Sequence, residues 1–168
     1  MATNNAINQP GPTPVFSTAL SSTVFNVTGS GTNYQVLFDT VISDTVNGYD
    51  NTTGVYTVKT AGTYFLTSHI TYGQNPPYNP TLLYIYMSIN GAPFQFGLSP
   101  LSGQVTNYMG PNNWLSFEGS IIVPLSVGNT ISVTVEGYGE TSDNDAILGA
   151  LPSVNYQTTF SGFMIAQV

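Results

Sequence analysis

Cationic side chains are almost missing from this chain. Its 168 residues include a single Lys or Arg, Lys59, against eight Asp and Glu, which gives a net charge of −7. Proteins that bind nucleic acid need clustered Lys and Arg to displace counterions from phosphates, and a polybasic membrane-surface segment needs the same residues. The composition therefore excludes nucleic acid as a partner and excludes a polybasic membrane anchor.

Cysteine is absent as well, so the chain has no disulfide, no thiolate zinc site and no thiol nucleophile. No apolar run approaches the ~20 residues that a membrane helix needs, and we predict no membrane insertion. The first residues lack the basic and apolar regions of a secretory signal. Either a signal was removed or the protein leaves its cell by another route, such as assembly followed by lysis.

Uncharged polar residues take the place of the missing charges. Thr, Asn and Ser together account for 54 of the 168 residues. A surface of this kind stays hydrated through hydroxyl and amide groups, and it offers a protease that cuts after Lys or Arg one target only, Lys59. These features favour a protein built to survive outside a cell, and we expect it on the surface of a spore or a virion.

The chain divides into two parts by composition. Residues 1–14 form a polar, proline-rich leader that buries too little apolar surface to order itself. Its one triplet, Gly11-Pro12-Thr13, fits either the end of a collagen-like stalk or an ordinary linker. Residues 15–168 have the length and composition of one domain.

Strand-forming residues dominate that domain, and helix signals are nearly absent. Asn47-Gly48, Asn90-Gly91 and Gly128-Asn129 indicate turns between the runs. The runs of β-branched and aromatic residues are Val24–Val27, Tyr34–Ile42, Gly54–Thr60, Thr63–Tyr72, Leu82–Ile89, Trp114–Pro124, Thr130–Tyr138 and Thr158–Val168. This spacing predicts an all-β fold, an antiparallel jelly-roll sandwich of about ten strands.

The alternation of residue types predicts which faces are buried. Ile131, Val133 and Val135 share one face of a strand whose other face is polar. Leu82–Ile89 has no polar face until its end, so we expect it to be buried on both sides. It is either a central strand or a strand covered by another subunit, and Tyr84 and Tyr86 suit a subunit interface.

Few residues offer chemistry. His69 is the only histidine and lies in a predicted strand, so we predict no catalytic residue, no enzyme activity and no cofactor. Glu140, Asp143 and Asp145 follow the strand that ends at Tyr138; they suit either a hard cation or a solvated acidic loop. Because these residues do not supply the full ligand set of a calcium-binding loop, we predict no metal site.

Aromatic residues in the long connections are candidates for contact with a ligand. Sugars present C–H faces that pack on aromatic rings, while Asn and Thr satisfy their hydroxyls. The alternative is that these rings fill the ends of the sandwich or a subunit seam. The candidates are Tyr72, Tyr78, Phe94, Phe96, Tyr108 and Trp114.

Several motifs of this sequence resemble those of complement C1q globular heads, in the same order along residues 15–168. One motif joins Tyr49-Asp50, Gly54, Tyr56 and Gly62-Thr63-Tyr64-Phe65 at fixed spacing. The others are Phe16-Ser17, Ser88-Ile89-Asn90-Gly91, Gly119-Ser120 with Val127-Gly128-Asn129, and Phe160-Ser161-Gly162-Phe163. The chain departs from calcium-binding members of the family, because the connection from residue 90 to 117 contains no Asp or Glu.

The resemblance implies a ten-stranded jelly roll of the C1q and tumour necrosis factor superfamily, which packs as a homotrimer at the tip of a stalk. It implies that Gly54 and Gly62 form tight turns. It also implies that Tyr49, Tyr56, Tyr64, Phe65 and Phe160 are core or inter-subunit aromatics. Members of this family are not enzymes, and they bind receptors, glycans or other surface ligands.

These observations predict a non-catalytic homotrimeric head on a spore or virion surface, which gives robustness and multivalent attachment. Two alternatives stay open. One is a lectin-like module whose main task is to bind a glycan or a protein receptor. The other is a jelly-roll capsid subunit.

Overall fold

Thirteen β-strands and no helix make up the described part of the chain, which covers residues 11–73, 82–100, 114–150 and 158–167 of a computed structural model. No helix long and apolar enough to cross a membrane therefore occurs within these residues. The strands are β1 (Val15–Ala19), β2 (Val24–Thr28), β3 (Asn33–Gln35), β4 (Thr40–Asp44), β5 (Tyr49–Asp50), β6 (Val55–Thr57), β7 (Gly62–Gly73), β8 (Leu82–Ile89), β9 (Ala92–Pro100), β10 (Trp114–Leu125), β11 (Thr130–Tyr138), β12 (Asp145–Ile147) and β13 (Thr159–Gln167).

The strands form two sheets whose neighbours are antiparallel. Sheet A has the order β2-β12-β7-β13-β1-β4, with β10 on the other side of β7. Sheet B has the order β5-β6-β11-β8-β9, with β3 also paired to β11. The longest pairing joins β7 and β10 over twelve residues, from Gly62↔Leu125 to Gly73↔Trp114. These two strands therefore set the frame of sheet A.

The core lies between the two sheets. On β7, Tyr64, Leu66, Ile70 and Tyr72 point inward and are fully buried. The predicted inward face of β11 is confirmed, because Ile131, Val133 and Val135 are also fully buried. Each large side chain of this kind contributes about 1.5–3 kcal/mol when it leaves water.

An aromatic cluster fills the middle of the core. Phe16 stacks on Tyr56 at 4.1 Å between ring centroids and meets the edge of Phe160 at 4.9 Å. Tyr49 extends the cluster, 6.5 Å from Phe160. The four rings come from four strands, β1, β5, β6 and β13, so the cluster joins sheet A to sheet B.

Two of the predicted local features were wrong. The run Tyr34–Ile42 is two strands: β3 belongs to sheet B and β4 to sheet A, and the chain crosses between the sheets with Val36 and Phe38 buried in the core. Gly62 is not a turn residue but the first residue of β7. A β-carbon there would lie 2.5 Å from the carbonyl oxygen of Ala166, so the close approach of β13 requires glycine.

The predicted turns do contain residues in the left-handed region. Asn47 and Asn90 have φ of 51° and 52°, and Gly128 has φ of 88°. Gly54 has φ of 74°, in the turn between β5 and β6. Asn and Gly adopt this conformation at little cost, which is why they end the strands here.

Within a single chain only one face of strand β8 is buried, and burial of the other face by another subunit stays a prediction. Within one chain its residues alternate, with Leu83, Ile85 and Met87 buried, whereas Tyr84 and Tyr86 are half-buried on the outer face. The sequence looked apolar throughout because tyrosine combines a large ring with a polar hydroxyl. Such a residue suits a partly hydrated face as well as a buried one.

Candidate functional site

A row of apolar side chains crosses the outer face of sheet A. Phe65 lies opposite Ile122 on β10 and opposite Phe163 on β13, and Phe163 lies opposite Val15 on β1. Ile122 is 63% exposed, Phe163 45% and Val15 37%, and the rings of Phe65 and Phe163 are 5.4 Å apart. We call Val15, Phe163, Phe65 and Ile122 the apolar row. Four adjacent strands thus present one continuous apolar strip.

A second row on the same face consists entirely of hydroxyl side chains. Its members are aligned across five strands by the strand register, and the Ser161 hydroxyl donates to that of Ser17 at 3.1 Å. We call this set the hydroxyl row: Ser43, Ser17, Ser161, Thr67 and Ser120. Because all five side chains are short and neutral, this part of the face is polar and uncharged.

Among the described residues, the acidic side chain of this face lies beside the hydroxyl row. Glu118 of β10 and Thr159 of β13 both lie opposite His69 of β7. Two other acidic residues are on strands of sheet A, but Asp44 lies opposite the buried Phe16 and Asp145 is itself fully buried. The remaining ones lie outside sheet A: Asp39, Asp50, Glu136, Glu140 and Asp143. The outer face of sheet A therefore carries little of the net charge of −7.

A shallow groove of about 400 Å³ lies on the outer face of sheet B. Strands β3, β8 and β11 line it with two amides, three Ser or Thr hydroxyls, one carboxylate and one aromatic ring. These side chains are Asn33, Gln35, Ser88, Ser132, Thr134, Glu136 and Tyr86. Gln35 donates a hydrogen bond to the carbonyl of Thr53 at 2.5 Å, which fixes its amide at the edge of the groove.

Three tyrosines surround the carboxylate of this groove. Glu136 accepts hydrogen bonds from the hydroxyls of Tyr138 at 2.5 Å and of Tyr86 at 3.4 Å. Tyr84 stacks on Tyr86 at 5.7 Å and meets the edge of Tyr138 at 6.0 Å. Burial, with the charge of Glu136 as a smaller cause, raises the pKa of Tyr86 to about 12. Hydrogen bonding to Glu136 also raises the pKa of Tyr138, so the hydroxyls of Tyr86 and Tyr138 stay protonated and hold the carboxylate in place.

The predicted site aromatics fall into distinct places. Tyr49, Tyr56, Tyr64 and Phe160 lie in the core, where burial raises the pKa of the three tyrosines. Phe65 belongs to the apolar row, whereas Tyr84 and Tyr86 adjoin the groove.

The predicted loop candidates do not form one site. Phe94 is exposed on β9 of sheet B and Trp114 is exposed on β10 of sheet A. Tyr78, Phe96 and Tyr108 lie outside the residues whose side chains are described. The prediction that Tyr72 stacks on a sugar was wrong, because its ring is fully buried.

The prediction of a solvated acidic loop was also wrong for Asp145. Asp145 begins β12 and is fully buried, with the Tyr72 hydroxyl donating to its Oδ2. Asp143 is held by the hydroxyls of Ser30 and Thr32, at 2.7 and 2.6 Å, which lowers its pKa. No three His, Cys, Asp or Glu converge on a metal position within the part of the chain that the structure describes.

Sequence reasoning missed both the apolar row and the groove. The apolar row combines residues of four strands, and the side chains of the groove come from three. Which residues of separate strands become neighbours depends on the strand register, which the sequence does not reveal. The sequence signal that existed was the repeated apolar residue at the outward position of β7, β10 and β13.

Comparison with known proteins agrees with this architecture. A family model described as C1q domain matches residues 16–165. The globular domain of zebrafish complement 1qA protein is similar in structure, with 16% identity, a TM-score of 0.56, and coverage of 92% of this chain and 99% of that chain. Murine APRIL is similar as well: at pH 8.5 the identity is 14%, the TM-score 0.56 and the coverage 94% and 100%.

Murine APRIL at pH 5.0 gives a TM-score of 0.58 at 11% identity, with coverage of 92% of this chain and 100% of that chain. No curated protein matches the sequence. At these identities the solved structures show the fold alone. The prediction of an all-β antiparallel jelly roll is confirmed.

Proposed function

Because the chain belongs to the C1q domain family, whose heads typically form homotrimers and bind receptors, we propose that it is a non-catalytic homotrimeric attachment head. Its subunits pack through the outer face of sheet A. The groove on sheet B then faces outward from each subunit. Domains of this family are generally non-catalytic, which agrees with the composition of both faces.

The apolar row is the observation that supports the trimer. Ile122 and Phe163 each leave about half or more of their surface in water in a single chain. Their burial against a second copy is favourable by roughly 25 cal/mol per Å². Subunits that each carry a charge of −7 can pack around a shared axis only if their carboxylates stay apart. Glu118 is the acidic residue whose side chain lies on this face among the described residues.

Charge substitution in the apolar row tests the interface. We expect Ile122→Asp and Phe163→Asp to give monomers by size-exclusion chromatography with light scattering, because burying an unpaired carboxylate costs several kcal/mol. Phe25→Asp is the matched control: Phe25 is 65% exposed on β2, outside the row, and its variant should keep the oligomeric state of the wild type. Trimers of both row variants would show that this face is not the interface.

The groove on sheet B supports a role in binding a polar, uncharged ligand such as a glycan. Amides and hydroxyls match sugar hydroxyls as donors and acceptors, and the ring of Tyr86 offers a face for C–H groups. The carboxylate of Glu136 disfavours acidic sugars. Three copies of a weak site on one trimer gain avidity without any further contact.

A glycan array with the purified protein tests this role. We expect neutral glycans to bind, and Tyr86→Ala to weaken a confirmed hit by about tenfold, since a lost aromatic contact is worth about 0.5–1.5 kcal/mol beyond its area. Trp114→Ala is the control, because Trp114 is an exposed aromatic on sheet A. Loss of the hit in Trp114→Ala with retention in Tyr86→Ala would move the site to the sheet A side.

We also propose display on a spore or virion surface, where one Lys and no cysteine favour persistence outside a cell. Immuno-electron microscopy of particles from the source organism should label their outer surface. A capsid subunit is the competing assignment. It predicts closed shells by light scattering of the purified protein, whereas an attachment head predicts small oligomers only.

A further inference from the structure

The carboxylate of Glu136 is held in one orientation within the groove on sheet B. Its Oε1 accepts a hydrogen bond from the Tyr138 hydroxyl at 2.5 Å, and its Oε2 accepts one from the Tyr86 hydroxyl at 3.4 Å. Glu136 is half-buried and lines the groove together with Tyr86. A carboxylate can accept about four hydrogen bonds, so the two oxygens of Glu136 keep capacity for a donor from outside the chain.

The two side chains that can carry a positive charge, Lys59 and His69, both lie away from Glu136. His69 is on β7 of sheet A, whereas Glu136 is on β11 of sheet B. Lys59 follows β6, whose last residue, Thr57, lies opposite Thr130 at the start of β11. Extended strand rises about 3.4 Å per residue, which puts Glu136 roughly 20 Å further along β11. An ion pair within one chain is therefore out of reach for this carboxylate.

The rest of the groove supplies uncharged hydrogen-bonding groups and one ring. Strand β3 contributes amides, and strands β8 and β11 contribute hydroxyls: Asn33, Gln35, Ser88, Ser132 and Thr134. The face of the Tyr86 ring attracts both C–H groups and cations. The volume of about 400 Å³ lies in the range of small-molecule sites. A sugar ring that carries a positive charge therefore has a partner in the groove for its hydroxyls, its C–H face and its charge.

We propose that the groove selects amino sugars, whose ammonium group pairs with Glu136. This inference rests on the proposed glycan-binding role of the groove and adds the substituent that the groove prefers. An ammonium donates charge-assisted hydrogen bonds to the carboxylate, and such bonds are roughly twice as strong as neutral ones. The net charge of −7 also attracts a cationic ligand. Neutral sugars bind through the amides, the hydroxyls and the ring, but with lower affinity.

Three disaccharides that differ only at carbon 2 of each ring test the proposal. Cellobiose has a hydroxyl there, N,N′-diacetylchitobiose has an acetamide, and the de-N-acetylated diamine has an ammonium. Ligand-observed NMR titrations of the whole chain at pH 6 in 50 mM NaCl should give the diamine a Kd about fivefold lower than that of either neutral sugar. At pH 9.5 the preference should disappear, because the sugar amine loses its proton. The Tyr86 hydroxyl keeps its own, since burial raises its pKa to about 12.

Glu136→Gln tests whether this carboxylate causes the preference. The variant keeps the shape of the side chain and removes its charge, so the ratio of the two Kd values should fall to about one. Because the ratio compares two ligands on one protein sample, a smaller folded fraction does not change it. Glu118→Gln is the matched control and should keep the fivefold ratio, since Glu118 is an exposed carboxylate on sheet A.

The outcomes separate this inference from the proposed function. Equal affinity for all three disaccharides would overturn the selection of amino sugars and leave the glycan-binding role intact. No binding to any of them or to the glycan array would overturn both. A fivefold ratio that persists in Glu136→Gln would overturn the role of Glu136. Nα-acetyl-lysinamide offers an ammonium without a sugar, and binding as tight as that of the diamine would overturn the sugar assignment in favour of a lysine side chain.

Discussion

At the scale of single residues, Asp145 has an unusual environment. It is fully buried beside the hydroxyl of Tyr72, with Glu140 and Asp143 close by, and this burial raises its pKa to about 7. An unfolded Asp titrates near 3.9. The folded state therefore holds the proton more tightly than the unfolded state over the interval between these values.

That difference predicts an inverted pH dependence of stability. The free energy of unfolding should fall as the pH rises from 5 to 7, by up to about 1.4 kcal/mol per pH unit, and should level off above 7. Urea denaturation at pH 5, 6, 7 and 8 measures it. This window lies above the range in which Asp50 and Asp143, whose pKa values are lowered, take up protons.

Asp145→Asn is the matching variant for this prediction, because it keeps the size of the side chain and an oxygen that accepts from Tyr72. In Asp145→Asn, most of the change in the free energy of unfolding between pH 5 and 7 should disappear. Stability that increases with pH in the wild type, or an unchanged slope in the variant, would contradict a raised pKa at Asp145.

Phe160 is the residue that best tests the aromatic cluster. It contacts Phe16 and Tyr49 and is fully buried, so Phe160→Ala should lower the free energy of unfolding by about 3–5 kcal/mol. Phe25→Ala removes an equal side chain from an exposed position and should change stability by no more than about 0.5 kcal/mol. Chemical denaturation gives both values. Equal losses in the two variants would contradict a core centred on Phe160.

Single residues also show what sequence can and cannot predict. The placement of large aromatics in a core follows from their apolar surface, which is a property of the residue itself. The burial of Asp145 does not follow from the residue type, because it depends on the packing of its segment beside Tyr72 and Gly29. From sequence alone, a run of acidic residues is therefore predicted to be a solvated loop.

At the scale of elements, the long strands β7, β8, β10, β11 and β13 correspond to runs seen in the sequence. Four strands were not predicted: β1, β5, β9 and β12. Strand β9 was placed in a connection between strands, while β5 has only two residues and β12 three. Short strands lack a periodic pattern of their own and form because a longer neighbour offers hydrogen-bonding groups. The sequence likewise merged β3 and β4, since the crossing residues Val36 and Phe38 are as apolar as a strand.

Gly62 tests how closely β7 and β13 approach. A β-carbon there would lie 2.5 Å from the Ala166 carbonyl and 2.7 Å from the sulfur of Met164. Gly62→Ala should therefore cost about 1–3 kcal/mol through overpacking. Gly91→Ala is the comparison, because it has open space but φ of +77°, and it should cost about 1 kcal/mol from backbone strain. A neutral Gly62→Ala variant would show that the two strands separate easily.

At the scale of the whole molecule, the two sheets present different outer faces. Sheet A carries the apolar row and the hydroxyl row, whereas sheet B carries the groove with Glu136 and its tyrosines. The subunit interface that sequence placed at Tyr84 and Tyr86 stays a prediction for sheet B. We assign the interface to sheet A instead, because the apolar side chains of its outer face are the more exposed.

The mass of the native particle tests this account most directly. Sedimentation equilibrium of the wild-type protein at micromolar concentration should give three times the chain mass of 17.9 kDa, and Ile122→Asp should give one chain mass under the same conditions. A wild type that sediments as a folded monomer at that concentration would contradict the homotrimeric head.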